Sequence, residues 1–234
     1  MPRLLVHVEG ETEEVFVNEI LTGPLLARGY ERVSARLIGN ARQRDRRGGI
    51  RSWDTVRRDI VRHLVEDPGC IATTMVDYYG LPQSGEKAWP GRADAGLLPV
   101  ARKGPHVEAA LLADLAGHIG PGFDSRRFLP FVVVHEFEGL LFSDFEAFAR
   151  GVGREALAQS SQDIRDQFPT PEDINDSPNT APSRRVEALI PGYAKPLLGN
   201  LAALEIGLDT ITGACPHFRA WRAQLESRAL LNLP

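Results

Sequence analysis

"LLVHVEGETEEVF" (residues 4–16) runs from apolar residues straight into four glutamates, Glu9, Glu11, Glu13 and Glu14. The apolar part reads as a buried strand and the part beyond Gly10 as the start of a helix. Acids near a helix N-terminus complement its dipole. The same acids at the end of a strand are also hard oxygen donors for a metal. Both readings stand until the other acids of the chain are placed.

"RLLVHV" (3–8) is the first strand. "TEEVFVNEILTGPLLARGY" (12–30) has helical spacing, with Thr12 as N-cap and a break at Gly23-Pro24. "RVSARLIG" (32–39) alternates as a second strand. "SWDTVRRDIVRHLVED" (52–67) puts Val56, Ile60, Val61 and Leu64 on one helical face, and "CIATTMVD" (70–77) is a β-rich run ending on an acid. An irregular stretch (78–104) precedes a helix over 105–120. "FLPFVVVHEFEGLLF" (128–142) begins as a strand and turns helical near Glu136. Strand and helix alternate to about residue 150, which predicts an α/β fold: a mostly parallel, Rossmann-like sheet flanked by helices. After that point the strand signals fade. "GREALAQSSQDIRDQF", "SRRVEALI" and "WRAQLESRALL" predict a helical C-terminal part, so the expected division is 1–150 for the sheet domain and 151–234 for a helical extension packed on it.

Composition narrows the classes. Of 234 residues, 43% are hydrophobic and 25% charged, with a net charge of −4, which excludes a generally basic nucleic-acid coat protein. Two isolated cysteines, Cys70 and Cys215, exclude a zinc ribbon and argue against a disulfide scaffold. No apolar run reaches a membrane span, and Glu9 interrupts any signal-peptide core, so the expectation is a cytoplasmic protein with no membrane partner. Walker A, G-x-G-x-x-G and G-x-S-x-G patterns are missing, and Gly139 breaks an H-E-x-x-H reading of His135-Glu136.

Three predicted strands end on acids: Glu9, Asp77, and Glu136 with Glu138. In open α/β sheets ligands bind beyond the carboxyl ends of the strands. Parallel neighbours would bring Glu9, Asp77 and Glu136 to one rim, with Glu13 one turn beyond Glu9. Crowded carboxylates need raised pKa values or a cation. An all-oxygen donor set favours Mg²⁺ or Mn²⁺ over zinc. Glu136 and Glu138 also read as first-turn acids on a helix dipole, while Glu11 and Glu14 read as solvent-facing.

"VEGETEE" resembles the glutamate motif of the Toprim fold, with Glu13 placed as in OLD-family nucleases, and "MVDYYG" stands where that fold carries its paired-aspartate motif; "HEFEGLLFSD" (135–144) is a third motif. With "NTAPSRR" (179–185), they resemble a Toprim-related family of small bacterial proteins of unknown function. The resemblance implies metal ligands at Glu9, Glu13, Asp77, Glu136 and Glu138, a catalytic role for Glu9, and phosphodiester chemistry on nucleic acid, DNA ahead of RNA. It also implies an ABC-type ATPase partner and a role in phage defence. Lys103 is the candidate phosphate-stabilising lysine; its other reading is a surface residue. The chain departs from the pattern at Tyr79, which stands where a second aspartate is expected.

"ARQRDRRGGIR" (41–51) adds Arg42, Arg44, Arg46, Arg47 and Arg51 around a glycine pair. Guanidinium forks match phosphate oxygens, so the stretch is a candidate nucleic-acid contact; a solvated loop is the alternative. Arg184 and Arg185 are further candidate contacts, beside Ser183 as an expected helix cap. Two functions from different classes follow. One is a metal-dependent nuclease. The other is a non-catalytic, degenerate Toprim module that binds a metal or nucleic acid and regulates an ATPase. A receiver-like domain would need a fifth strand followed by a lysine, and no such strand is visible beyond residue 150.

Overall fold

The computed structural model describes residues 1–38, 50–174, 178–231 and 233. Five parallel strands form the sheet: β1 (Arg3–Val8), β2 (Arg32–Leu37), β3 (Cys70–Asp77), β4 (Phe128–Leu129) and β5 (Val132–Val133). The order is β2-β1-β3-β4, with β5 also on β3. All eight residues of β3 are buried, as expected of a central parallel strand covered on both faces. β4 and β5 are two pieces of one strand position, pairing with Ala72–Thr73 and then Val76–Asp77. Pro130 separates them, since it has no N–H for a ladder. Thr74 fills the gap: its hydroxyl donates to the Phe131 carbonyl and accepts the Phe131 N–H, both at 2.8 Å.

The helices depart from the sequence reading in instructive ways. The first begins at α1 (Glu11–Phe16), widens through a π turn (Val17–Leu21) and resumes as α2 (Thr22–Ala27), so the irregularity precedes Gly23-Pro24. Thr12 is buried inside the first turn, and Gly10 takes the N-cap position. The capping acceptor is Glu13, whose Oε2 takes the Gly10 N–H at 3.0 Å. α3 (Trp53–Glu66) lies where expected. The stretch after β3 holds 3-10 turns and a short α4 (Arg92–Ala95), and α5 (Val100–Ile119) starts five residues before Pro105. At the sixth helical position Pro105 has no N–H for the Ala101 carbonyl and crowds it. After β5 the chain forms a 3-10 segment (Phe137–Ser143) rather than an α-helix.

The C-terminal part is helical: α6 (Phe145–Gly151), α7 (Ala158–Arg165), α8 (Pro182–Leu189), a π turn (Lys195–Gly199), α9 (Asn200–Ile206), α10 (Leu208–Ala214) and α11 (Pro216–Arg228). These helices share one apolar core with β1, from Leu4 and Val6 to Phe218, Trp221 and Leu225. Trp221 stacks on Phe131 with ring centroids 4.3 Å apart, and its indole N–H donates to the Thr73 hydroxyl at 2.9 Å. Tyr30 donates to the Leu225 carbonyl at 2.8 Å, tying α11 to the start of β2. Cys70 and Cys215 are buried free thiols. No helix among the described residues is long and apolar enough to cross a membrane.

Trp221 therefore joins the sheet to the last helix through stacking, burial and a hydrogen bond. Trp221→Ala is expected to destabilise the chain by about 3–5 kcal/mol in denaturant titration. Loss of the 151–234 part in a separate transition, with the sheet left intact, would show that the two parts are not held by this contact.

Candidate functional site

β1 and β3 are parallel neighbours with Val8 beside Met75, so both release their chains at the same rim. Glu9 follows β1, and its N–H donates to the Met75 carbonyl at 3.3 Å. Its carboxylate Oε2 accepts the Asp77 N–H, also at 3.3 Å, which fixes the first and third strand ends to one another. Gly80 closes over the pair: a Cβ there would lie 2.7 Å from Glu9 Oε2, so only glycine leaves the carboxylate in place. Asp77 is held in turn by the Phe137 N–H, which donates to Oδ1 at 2.8 Å. Glu13 reaches the same place from α1.

Four carboxylates thus meet at the rim: Glu9, Glu13, Asp77 and Glu138. In two of them, one oxygen is anchored on the backbone and the other faces the shared space. Asp77 Oδ1 holds Phe137 and Glu13 Oε2 holds Gly10, which leaves Asp77 Oδ2 and Glu13 Oε1 turned inward. Glu138 is fully buried and neither of its oxygens has a hydrogen-bond partner. Backbone anchoring of this kind fixes ligand direction before anything binds.

The space between them is filled by a side chain that sequence reasoning missed. Lys195, from the π turn, places Nζ 3.1 Å from Asp77 Oδ2, 3.2 Å from Glu138 Oε2 and 3.7 Å from Glu13 Oε1. The Glu138 contact is an ion pair without hydrogen-bond alignment. Lys195 lies 118 residues after Asp77, in "GYAKPLLGN", where no motif marks it. The only hint is its isolation as a lysine before a proline in an apolar segment.

One ammonium does not balance four carboxylates. Burial first, then Asp77 and Glu13, push the Glu9 carboxyl up to about 8. Burial pushes Glu138 up to about 7 despite the nearby ammonium, and Glu13 is raised by burial and by Asp77. Desolvation opposes the charge on Lys195, but Asp77, Glu138 and Glu13 outweigh it and hold the ammonium protonated.

The other sequence candidates lie elsewhere. Glu136 turns to α8, where its Oε2 accepts the Ser183 N–H at 3.0 Å. The expected Ser183 cap is therefore reversed: Ser183 sits inside the first turn after Pro182, and Glu136 caps it from a distant part of the chain. Lys103 is half-buried with Nζ 5.9 Å from the Tyr78 ring centroid. Tyr79 stacks on His135 with centroids 5.1 Å apart. Arg42, Arg44, Arg46 and Arg47 lie outside the described residues. Arg51 is half-buried, and its carbonyl accepts the Trp89 indole N–H. Ile38, just before the arginine-rich stretch, donates to the Val8 carbonyl at 3.0 Å and so stands one residue from Glu9. On α3, Arg57 pairs with Asp114 and Asp54, and Arg62 with Asp59. Arg184 pairs with Glu187, and Arg185 donates to the Thr180 carbonyl. Glu11 is exposed and Glu14 half-buried. His7 is a buried strand residue held to the Thr73 carbonyl, with burial lowering it to about 3.

The donor set suits a hard divalent cation: all oxygen, mostly buried, with a Glu138 carboxylate that lacks hydrogen bonds. Among the described residues no three acidic, histidine or cysteine side chains form a ready-made metal cage, since the carboxylates here are arranged around the Lys195 ammonium.

Comparison with protein families matches residues 8–226 to a model described as Domain of unknown function (DUF4276). No curated protein matches. One solved structure, the C-terminal region of the Xanthomonas campestris pv. campestris OLD protein, is similar at a TM-score of 0.43 and 15% identity, covering 98% of this chain and 96% of that one. A likeness that weak bears on neither activity nor partner.

The raised carboxyls set the sign of a pH test. A group whose folded pKa exceeds its unfolded value stabilises fully below the unfolded value, 4.5 here, and loses that contribution as pH rises through about 7 and 8. Metal-free protein is expected to lose thermal stability between about pH 5 and pH 8, with a shallower fall in Glu9→Gln, which keeps the acceptor for the Asp77 N–H. Identical slopes in the two proteins would contradict a crowded Glu9.

Proposed function

We propose that this chain, which belongs to the DUF4276 family, is a divalent-metal-dependent phosphodiesterase of the Toprim type acting on nucleic acid, DNA ahead of RNA. The observation that carries the reading is the meeting of Glu9, Glu13, Asp77 and Glu138 beyond the carboxyl ends of β1, β3 and β5, in the order in which the sequence motifs resemble Toprim. Mg²⁺ or Mn²⁺ bound by these four residues would polarise a phosphoryl oxygen and lower the pKa of water.

The chain's own groups prepare that chemistry. The Asp77 and Phe137 N–H groups hold Glu9 and Asp77 in direction. Glu9, held by the Asp77 N–H at the end of β1, would bind the metal or activate the attacking water. Lys103, with Nζ 5.9 Å from the Tyr78 ring centroid, is a candidate contact for a phosphate. The arginines from Arg42 to Arg51 are the candidates to hold the phosphodiester backbone. In this reading residues 1–150 carry the site and residues 151–234 are the extension that delivers Lys195. An ABC-type ATPase partner and a role in phage defence belong to the same proposal and rest on the motif resemblance.

A second reading has a specific observation in its favour. Tyr79 replaces the second aspartate and is engaged with His135, and Lys195 already supplies a cation. On that reading the domain is a non-catalytic module that regulates an ATPase.

The test is incubation with supercoiled plasmid, linear DNA and RNA in Mn²⁺, beside Glu9→Ala and Asp77→Ala. The enzyme reading expects cleavage that falls at least about a hundredfold in both variants, through loss of a water-activating group at Glu9 and of a metal ligand at Asp77. Cleavage that both variants retain would overturn this site assignment. Absence of both cleavage and metal binding would favour the module.

A further inference from the structure

We infer that Lys195 is a tethered cation that competes with the divalent ion, so that loading the site with metal expels the Lys195 side chain. The inference rests on the metal-binding reading above and concerns how that same site is regulated. Nζ lies within 3.1–3.7 Å of oxygens from Asp77, Glu138 and Glu13. A divalent cation bonded to those oxygens at about 2.1 Å would stand almost on the ammonium. The two positive charges exclude each other by overlap and by repulsion in a buried setting. Glu138, fully buried, meets Lys195 as an ion pair at 3.2 Å without hydrogen-bond alignment, a contact that a divalent cation bonded to its oxygens would strengthen.

The geometry also provides an exit. The carboxylate side chains of Glu13 and Glu138 are 3% and 1% exposed, whereas the lysine side chain is 34% exposed. With Nζ against the carboxylates and a third of the side chain still exposed, leaving takes rotation of side-chain bonds. The base of the stem is fixed. Pro196 follows it, and Gly199 at the end of the π turn accommodates the Tyr193 hydroxyl, which would sit 2.6 Å from any Cβ there. α1, which carries Glu13, packs against this turn. A tethered competitor acts at high effective concentration, on the order of millimolar or more. Lys195 therefore raises the apparent Kd for metal and stabilises the metal-free fold by neutralising part of the cluster.

The test is Mn²⁺ binding to the full chain, read by the free-ion EPR signal, for wild type, Lys195→Met and Lys195→Arg. Methionine keeps most of the stem length without the charge. The expected result is Mn²⁺ affinity at least about tenfold tighter in Lys195→Met and no tighter than wild type in Lys195→Arg, as removal of an intramolecular competitor requires. In wild type, amine acylation read by mass spectrometry is expected to be slow at Lys195 without metal and several-fold faster in saturating Mg²⁺, with Lys103 unchanged; this measurement needs no variant to fold. If wild type binds Mn²⁺ with the same affinity as Lys195→Met and Lys195 stays equally protected, the competition is refuted while the metal site stands. Binding seen only in Lys195→Met would support the inference in its strongest form. If neither protein binds Mn²⁺, the inference and the metal reading fall together.

Discussion

The rim of this molecule depends on one constraint: acidic groups delivered by β1, β3, α1 and the segment after β5 must share a space too small to keep them all ionised without a cation. The backbone enforces it. The Asp77 N–H holds Glu9, the Phe137 N–H holds Asp77 and the Gly10 N–H holds Glu13, so none of the three is free to turn to solvent. Like charges fixed this way either take up protons or recruit a counter-ion. The chain does both, with raised carboxyls at Glu9 and Glu138 and an inserted ammonium from Lys195. Such an arrangement costs stability, which is the usual mark of a site kept for binding rather than for folding.

The rest of the fold supports that rim. A central strand buried on both faces sets β1 and β3 in parallel register, and this alone puts Glu9 beside Asp77. The break at Pro130 lets the fourth strand position resume as β5 beside Asp77, from which the chain turns into the segment bearing Glu138. On the other side of the core, α11 locks to the sheet through Trp221, Thr73 and Phe131. The helical part is thus continuous with the apolar core, and the π turn that carries Lys195 is held at a fixed height over the carboxylates.

Much of this was legible from residue order. Strand periodicity located β1, β2 and β3, and acids at the ends of two of them marked the rim. Local chemistry was harder to read. Thr12 and Ser183 have the right side chains for N-caps, yet Glu13 and Glu136 supply the acceptors, because a carboxylate on a longer stem outcompetes a hydroxyl already inside the turn. Glu136 and Glu138 were equivalent in sequence. A 3-10 segment starting between them sends Glu138 into the core and Glu136 to α8. Lys195 was invisible for a different reason. Its role comes only from the tertiary return of a distant π turn, and neither periodicity nor spacing encodes such a contact.

On the proposed reading, Lys195 is a replaceable occupant of a cation site formed by these four carboxylates. A crystal grown in manganese tests it most directly through anomalous scattering. Expected are one or more manganese peaks bonded to oxygens of Glu9, Glu13, Asp77 and Glu138, with Lys195 Nζ moved out to the rim. Clear density for Lys195 between Asp77 and Glu138, with no manganese at the rim under saturating metal, would contradict it.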